Sequence, residues 1–220
     1  MFSPSANRLI WAAMLLLLVG LGLKTRDNLE SFFEGVGKLE VREETESGTV
    51  YLKWRGKIDA PMETRLAEAF EQHQASARRF VLSLSSSGGA LSHGARVVKL
   101  LRKIAETHGF DTVVESGSRC ASMCVPVYLQ GQRRTAAENA RFMFHEVSFR
   151  EYLSKDELAV PASAKASETD RLFADYFAPA GVSQSWITQV RDDMTGGHDI
   201  WKTARELTDE NAGVVQEIRD

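Results

Sequence analysis

Residues 119–129, RCASMCVPVYL, set Ser122 between two cysteines and directly ahead of an apolar run. A serine hydroxyl is a feeble nucleophile by itself. It becomes useful when a base lies within hydrogen-bond reach and N–H donors face the oxyanion that forms. The sequence offers each of these. Ser122 falls where a predicted strand gives way to a helix, so its hydroxyl can face a cleft while the N–H of Met123 lies at the helix N-terminus. His145 closes the strand-like segment RFMFHE and is the one histidine expected at the end of a core strand. Gly88-Gly89, just after RFVLSLS, lets a second main-chain N–H approach a substrate carbonyl, because no β-carbon stands in the way. Together these residues point to acyl transfer through a serine.

Other chemistries fit less well. His145-Glu146 is not a zinc-protease motif, since the second histidine of H-E-x-x-H would fall on Phe149. His93, His108 and His198 show no ligand spacing, and neither a metal nor a cofactor is expected. Ser122 lacks the G-x-S-x-G of the α/β-hydrolases, and no lysine lies between Lys103 and Lys155 to act as base. Cys120 and Cys124 are the only cysteines, too few for a disulfide scaffold, and C-x-x-x-C is neither a redox nor a zinc motif. A helical backbone from about 121 would put their α-carbons ~6 Å apart, which a disulfide tolerates. Two small side chains packed beneath a helix would be spaced identically.

These groups have to be held by strands and helices, and the chain alternates between them. VYLKWRG (50–56), RFVLSLS (79–85), DTVVES (111–116) and RFMFHE (141–146) read as strands. Helices are expected from Asp59 to about Ala75, from about Leu91 to His108, over VPVYLQ after Ser122, and from Ser183 to Asp193. A short strand near DIWKT, a helix around ARELTDE and a last strand GVVQEI follow. Repeated strand–helix–strand units predict a mainly parallel sheet, with the chemistry at the carboxyl ends of its strands. Residues 150–182 read as an arm whose Leu172, Phe173, Tyr176 and Phe177 would prefer a partner surface, so a homo-oligomer is expected.

A chain of 220 residues, 43% hydrophobic and 26% charged, has room for one sizeable core. The net charge of -3 and the absence of a basic stripe argue against a nucleic-acid partner. Residues 9–23, LIWAAMLLLLVGLGL, are uncharged and predict a signal peptide or membrane anchor over 1–26. Gly20-x-Gly22 matches a cleavage site poorly and Trp11 suits an interface, which favours an uncleaved single-pass anchor. The expected location is the bacterial inner membrane with the domain in the periplasm; secretion to the periplasm after cleavage is the alternative. Residues 27–47 read as a linker and 48–220 as the catalytic domain.

Four pieces in sequence carry a family resemblance: VYLKWRGKID, LSLSSSGGALSHG, CASMC and GQRRTAAENARFMFHE. They resemble ClpP, the proteolytic subunit of the Clp protease, over roughly residues 48–218. The matching ClpP features are the opening strand, the glycine turn usually written S-P-G-G, the A-A-S-M-G elbow and the segment delivering the base. The resemblance implies an α/β fold of ClpP/crotonase-like β-β-α and β-α-β units, acting as a serine endopeptidase on peptides or unfolded proteins. It implies Ser122 as nucleophile, His145 as base, and the N–H groups of Gly89 and Met123 as oxyanion hole. For the third member of a Ser-His-Asp triad Asp193 fits best, with Asp192 and Asp199 as alternatives. Ser87 stands where the family has proline, and the flanking cysteines replace small residues. The same fold also accommodates a catalytically inactive scaffold and a crotonase-like acyl-CoA enzyme.

Overall fold

Strand β2 (Thr49–Arg55) shows the simplest local logic: Val50, Leu52 and Trp54 alternate with outward residues and are fully buried. In parallel beside it runs β3 (Arg79–Ser85), burying Phe80, Leu82 and Leu84 by the same period of two. A computed structural model describes residues 37–148 and 161–219 of the chain. In it β3 pairs in parallel with β4 (Gly109–Val114), β4 with β6 (Arg134–Ala137), and β6 with β9 (Glu217–Arg219). Strand β1 (Lys38–Glu44) closes the opposite edge antiparallel to β2, giving the order β1-β2-β3-β4-β6-β9.

A second, three-stranded sheet carries the elements of the site. In it β5 (Arg119–Ala121) lies parallel to β7 (Arg141–Phe144), and β7 is antiparallel to β8 (Ile200–Thr203). Alternating β and α elements in two mixed sheets make this an α/β architecture. The expected parallel units are present in the larger sheet, whereas the elbow and the histidine belong to the smaller one.

Helix α1 (Ala60–His73) buries Met62, Leu66 and Ala69, one helical face at i, i+4 and i+7. Helix α2 (Leu91–Ala105) buries Gly94, Val97, Val98, Leu101 and Ile104, with Ala95 turned outward. The short α3 (Cys124–Tyr128) is buried throughout. Its Tyr128 hydroxyl donates to the Thr135 carbonyl at 3.1 Å, and burial pushes the phenol pKa up, so it stays a donor. Helix α4 (Ala162–Leu172) runs on into a π turn over Phe173–Phe177. Helices α5 (Gln184–Met194) and α6 (Ala204–Asp209) complete the unit, α6 opening on a reciprocal Thr203/Glu206 capping box.

Three expectations need revision. Residues 38–44, read as linker, form β1; their exposed charges hid a strand that needs only one edge of β2 to pair with. Phe173 and Phe177, read as exposed, are 4% and 2% accessible, packed on each other at 4.3 Å and, through Phe177, on Phe144. Leu172 and Tyr176 are half-buried, so the aromatic surface from which self-association was inferred is covered in large part from within the chain.

The third revision concerns the membrane. Among the described residues no helix is long and apolar enough to cross one. The longest α-helix among them, α2, has 15 residues, and α4 with its π turn carries Lys165, Glu168, Asp170, Arg171 and Asp175. At 1.5 Å per residue α2 spans ~22 Å against a hydrocarbon core of ~30 Å, and its outer face carries Arg96, Lys99, Arg102 and Lys103. The membrane-anchored inner-membrane assignment, with the bilayer as partner and a periplasmic domain, is accordingly withdrawn. The run 9–23 on which it rested lies outside the described residues and has the same short length.

Arg134 ties the C-terminal segment to the sheet. It is 5% exposed and donates to the carbonyls of Val214 (3.0 Å), Gly213 (2.9 Å), Ala180 (3.0 Å) and Gly131 (3.4 Å). Methionine fills similar space but offers no donors, leaving buried carbonyls unsatisfied. Arg134→Met is expected to cost about 2–4 kcal/mol, read as a lowered urea midpoint at unchanged slope.

Candidate active site

The tip of β3 and the start of the elbow are stitched together by main-chain bonds. Ser86 N–H donates to Arg119 O at 2.8 Å, and Ala121 N–H donates to Ser86 O at 3.0 Å. Ser122 N–H then reaches across to Met143 O on β7 at 2.9 Å. With both flanks pinned, Ser122 adopts φ +54, a left-handed conformation that residues other than glycine and asparagine seldom take. The turn swings the chain directly into α3, whose Val125 N–H donates to Ser122 O at 2.9 Å.

The glycine turn fits against this elbow. A β-carbon on Gly88 (φ +95) would stand 2.7 Å from Ser122 Cβ and 2.8 Å from Ala121 O, so only glycine allows the elbow so close. Gly88 N–H is held by the buried Ser86 hydroxyl at 3.1 Å, and Gly88 O accepts from Ile58 N–H at 2.8 Å. Among the described residues the N–H groups of Gly89 and Met123 have no protein acceptor, which leaves two donors for a ligand oxygen.

His145 follows the last residue of β7. Its Nε2 lies 2.7 Å from Ser122 Oγ, and its Nδ1 lies 2.5 Å from the Glu146 carbonyl. A carbonyl only accepts, so Nδ1 carries a proton, and in the neutral ring Nε2 is then the nitrogen that can receive the hydroxyl proton. The stretch after His145 is moored to α4, Val147 N–H donating to Thr169 Oγ1 at 2.9 Å.

Ser122, Met123, His145, Gly88 and Gly89 all line one cleft of about 330 Å³. Its other walls are mostly apolar, with Leu91, Met143, Leu172, Phe173 and Phe177, and Lys57 adds one cation. No group of three or more His, Cys, Asp or Glu side chains is placed to hold a metal among the described residues.

Asp193 is not brought to this cluster. It is exposed in the last turn of α5. Among the described residues no hydrogen bond joins it, Asp192 or Asp199 to His145, whose partners are Ser122 and Glu146. Because the imidazole is already oriented by a main-chain carbonyl, Asp193→Asn is expected to change hydrolysis less than about threefold. Losing a working triad aspartate instead costs ~10⁴-fold in kcat. A loss of that size in a steady-state assay would show that the turn after α5 rearranges to deliver the carboxylate.

Cys120 and Cys124 are joined in a disulfide with α-carbons 5.1 Å apart, both residues fully buried. Sequence reasoning placed Ser86 in a turn but missed its hydroxyl as the clamp on Gly88. It also missed the Glu146 carbonyl, a partner with no side-chain signature.

No family model matches the chain, and no curated protein matches it. Among solved structures it is similar to a point mutant of ClpP1 from Listeria monocytogenes. That chain is 20% identical, with a TM-score of 0.58, over 80% of this chain and 93% of that one.

The fold is ClpP-like.

At that level of identity the likeness speaks for the fold alone. The ClpP-like frame accounts for how segments distant in sequence meet at one cleft: the glycine turn after β3, the elbow after β5 and the histidine after β7.

Proposed function

We propose that the protein is a serine peptidase of ClpP-like fold that cleaves peptides or unfolded segments through an acyl-enzyme. The observation that carries this reading is the 2.7 Å contact between Ser122 Oγ and His145 Nε2, beside two N–H donors that have no protein acceptor among the described residues. In the reaction Ser122 Oγ attacks the scissile carbonyl carbon as its proton passes to Nε2. The oxyanion sits on the N–H groups of Gly89 and Met123. Collapse expels the amine, which takes the proton from Nε2. Water, deprotonated by the same nitrogen, then releases the acid and restores the serine. Self-association is proposed with this function, from the ClpP resemblance, and light scattering on the purified chain tests it.

A fluorophosphonate probe tests the chemistry. The expected result is one phosphonyl group per chain, located on Ser122 by peptide mass. Labelling that is absent, or equally strong in Ser122→Ala, removes the proposal. That no carboxylate among the described residues bonds His145 is the observation that favours a non-catalytic scaffold, and an unlabelled wild type would decide for it.

A further inference from the structure

The two cysteines flanking the elbow take no part in the proposed chemistry, yet they bracket its most constrained residue. Among the described residues only Ser122 and Asn211 combine a side chain with positive φ. Asparagine tolerates that region far better than serine does. Cys120, two residues before Ser122, is fixed on β5, opposite Phe142 of β7 and bridged to Ser86 at the tip of β3. Cys124, two residues after it, is the first residue of α3. Their disulfide closes a small ring whose interior holds Ala121, Ser122 and Met123: the proposed nucleophile and one oxyanion donor.

We propose that Cys120 and Cys124 are positioning residues for Ser122: their disulfide holds the elbow in its left-handed form, and opening it slows attack without altering the binding cleft. This rests on the reading of Ser122 as nucleophile. An extended 120–124 segment would separate the two α-carbons by ~13 Å, about twice what a disulfide spans, so the covalent ring excludes extended alternatives. The right-handed alternative is resisted by the bonds of Ala121 N–H to Ser86 O and Ser122 N–H to Met143 O. With the ring open those bonds act alone against the strain at Ser122, and Oγ spends less time against His145. A dithiol opens the ring in two exchanges. Its thiolate attacks one sulfur and releases the other cysteine, then its second thiol displaces the first, leaving two cysteine thiols and the oxidised cyclic reagent.

The experiment uses the full chain in four forms: oxidised, treated with dithiothreitol with thiols counted by alkylation and mass, Cys120→Ala/Cys124→Ala, and Leu66→Ala as a control destabilised away from the elbow. Fluorophosphonate labelling of Ser122 gives a maximal rate and a half-saturating concentration, and amide hydrogen exchange is followed over 119–128. The maximal rate is expected to fall at least tenfold in the reduced and double-alanine forms, with half-saturation within about twofold, while the control keeps the oxidised rate. Exchange over 119–128 is expected to rise at least about tenfold in the same two forms. A double-alanine protein that labels within twofold of the oxidised chain overturns the proposal, whatever its exchange. If the double variant does not fold, the reduced wild type with two counted thiols decides on the same criterion. Should the oxidised chain itself not label, the peptidase reading fails separately. Exchange alone then judges the clamp: faster upholds it, unchanged overturns it.

Discussion

Ser122→Ala is expected to abolish hydrolysis of an internally quenched peptide to within background, a loss on the order of 10⁴- to 10⁶-fold. Alanine keeps the small side chain that the elbow accepts and removes the one atom held 2.7 Å from His145 Nε2. His145→Ala should lose nearly as much, because an unassisted hydroxyl holds its proton at neutral pH. The double variant should be no slower than the worse single one, since a base without its nucleophile contributes nothing. Multiplying losses in the double variant would show that the two side chains work independently, and the dyad would be given up. Residual activity in all three would point to a contaminating peptidase.

Gly89→Ala should damage both stability and turnover. The added methyl would stand 2.1 Å from Ile58 O, 2.7 Å from Ile58 C and 2.9 Å from Ile58 N. These are main-chain atoms of the connection between β2 and α1 and cannot rotate aside, so the turn or the connection must shift. Overpacking of this kind costs about 1–3 kcal/mol, or several degrees of melting temperature for a chain of this size. The same shift moves the Gly89 N–H away from the oxyanion it is proposed to hold, and a displacement of about 1 Å costs roughly 10²-fold in rate. Gly117→Ala is the control, its methyl meeting nothing within 4 Å. It should lose some stability from its positive φ and keep its activity. If Gly89→Ala melts low but turns over normally, the Gly89 N–H is not an oxyanion donor.

What could be read from the residues follows from which signals are local. The alternation of VYLKWRG and RFVLSLS marks strands whatever their partners, and β2 and β3 stand within a residue of those expectations. The glycine turn and His145 were legible because each ends a segment with its own periodicity, and Ser122 because it stands directly ahead of the apolar run of α3. Strand β1 was not, because an edge strand with charged residues along it lacks a hydrophobic repeat. Strand β5 has three residues, and its identity comes from Phe142 opposite rather than from its own composition. The aromatics of residues 173–177 carry no label for inside or outside until Phe144 is there to meet Phe177. The assignment of Nδ1 needed a carbonyl that every residue possesses. The membrane assignment rested on one apolar run and on no described helix.

The partnership of β6 and β9 has a consequence in time. Arg134 N–H, at the start of β6, bonds the Gln216 side chain 82 residues later, and the Arg134 guanidinium waits on the carbonyls of Gly213 and Val214. A ribosome adding about 5–20 residues per second needs roughly 4–16 s to cover that interval. Throughout it the outer border of β6 lies open and a cation sits in a half-built interior. Until Gly213 to Gln216 emerge, the Arg134 donors lack the partners that satisfy them in the finished fold.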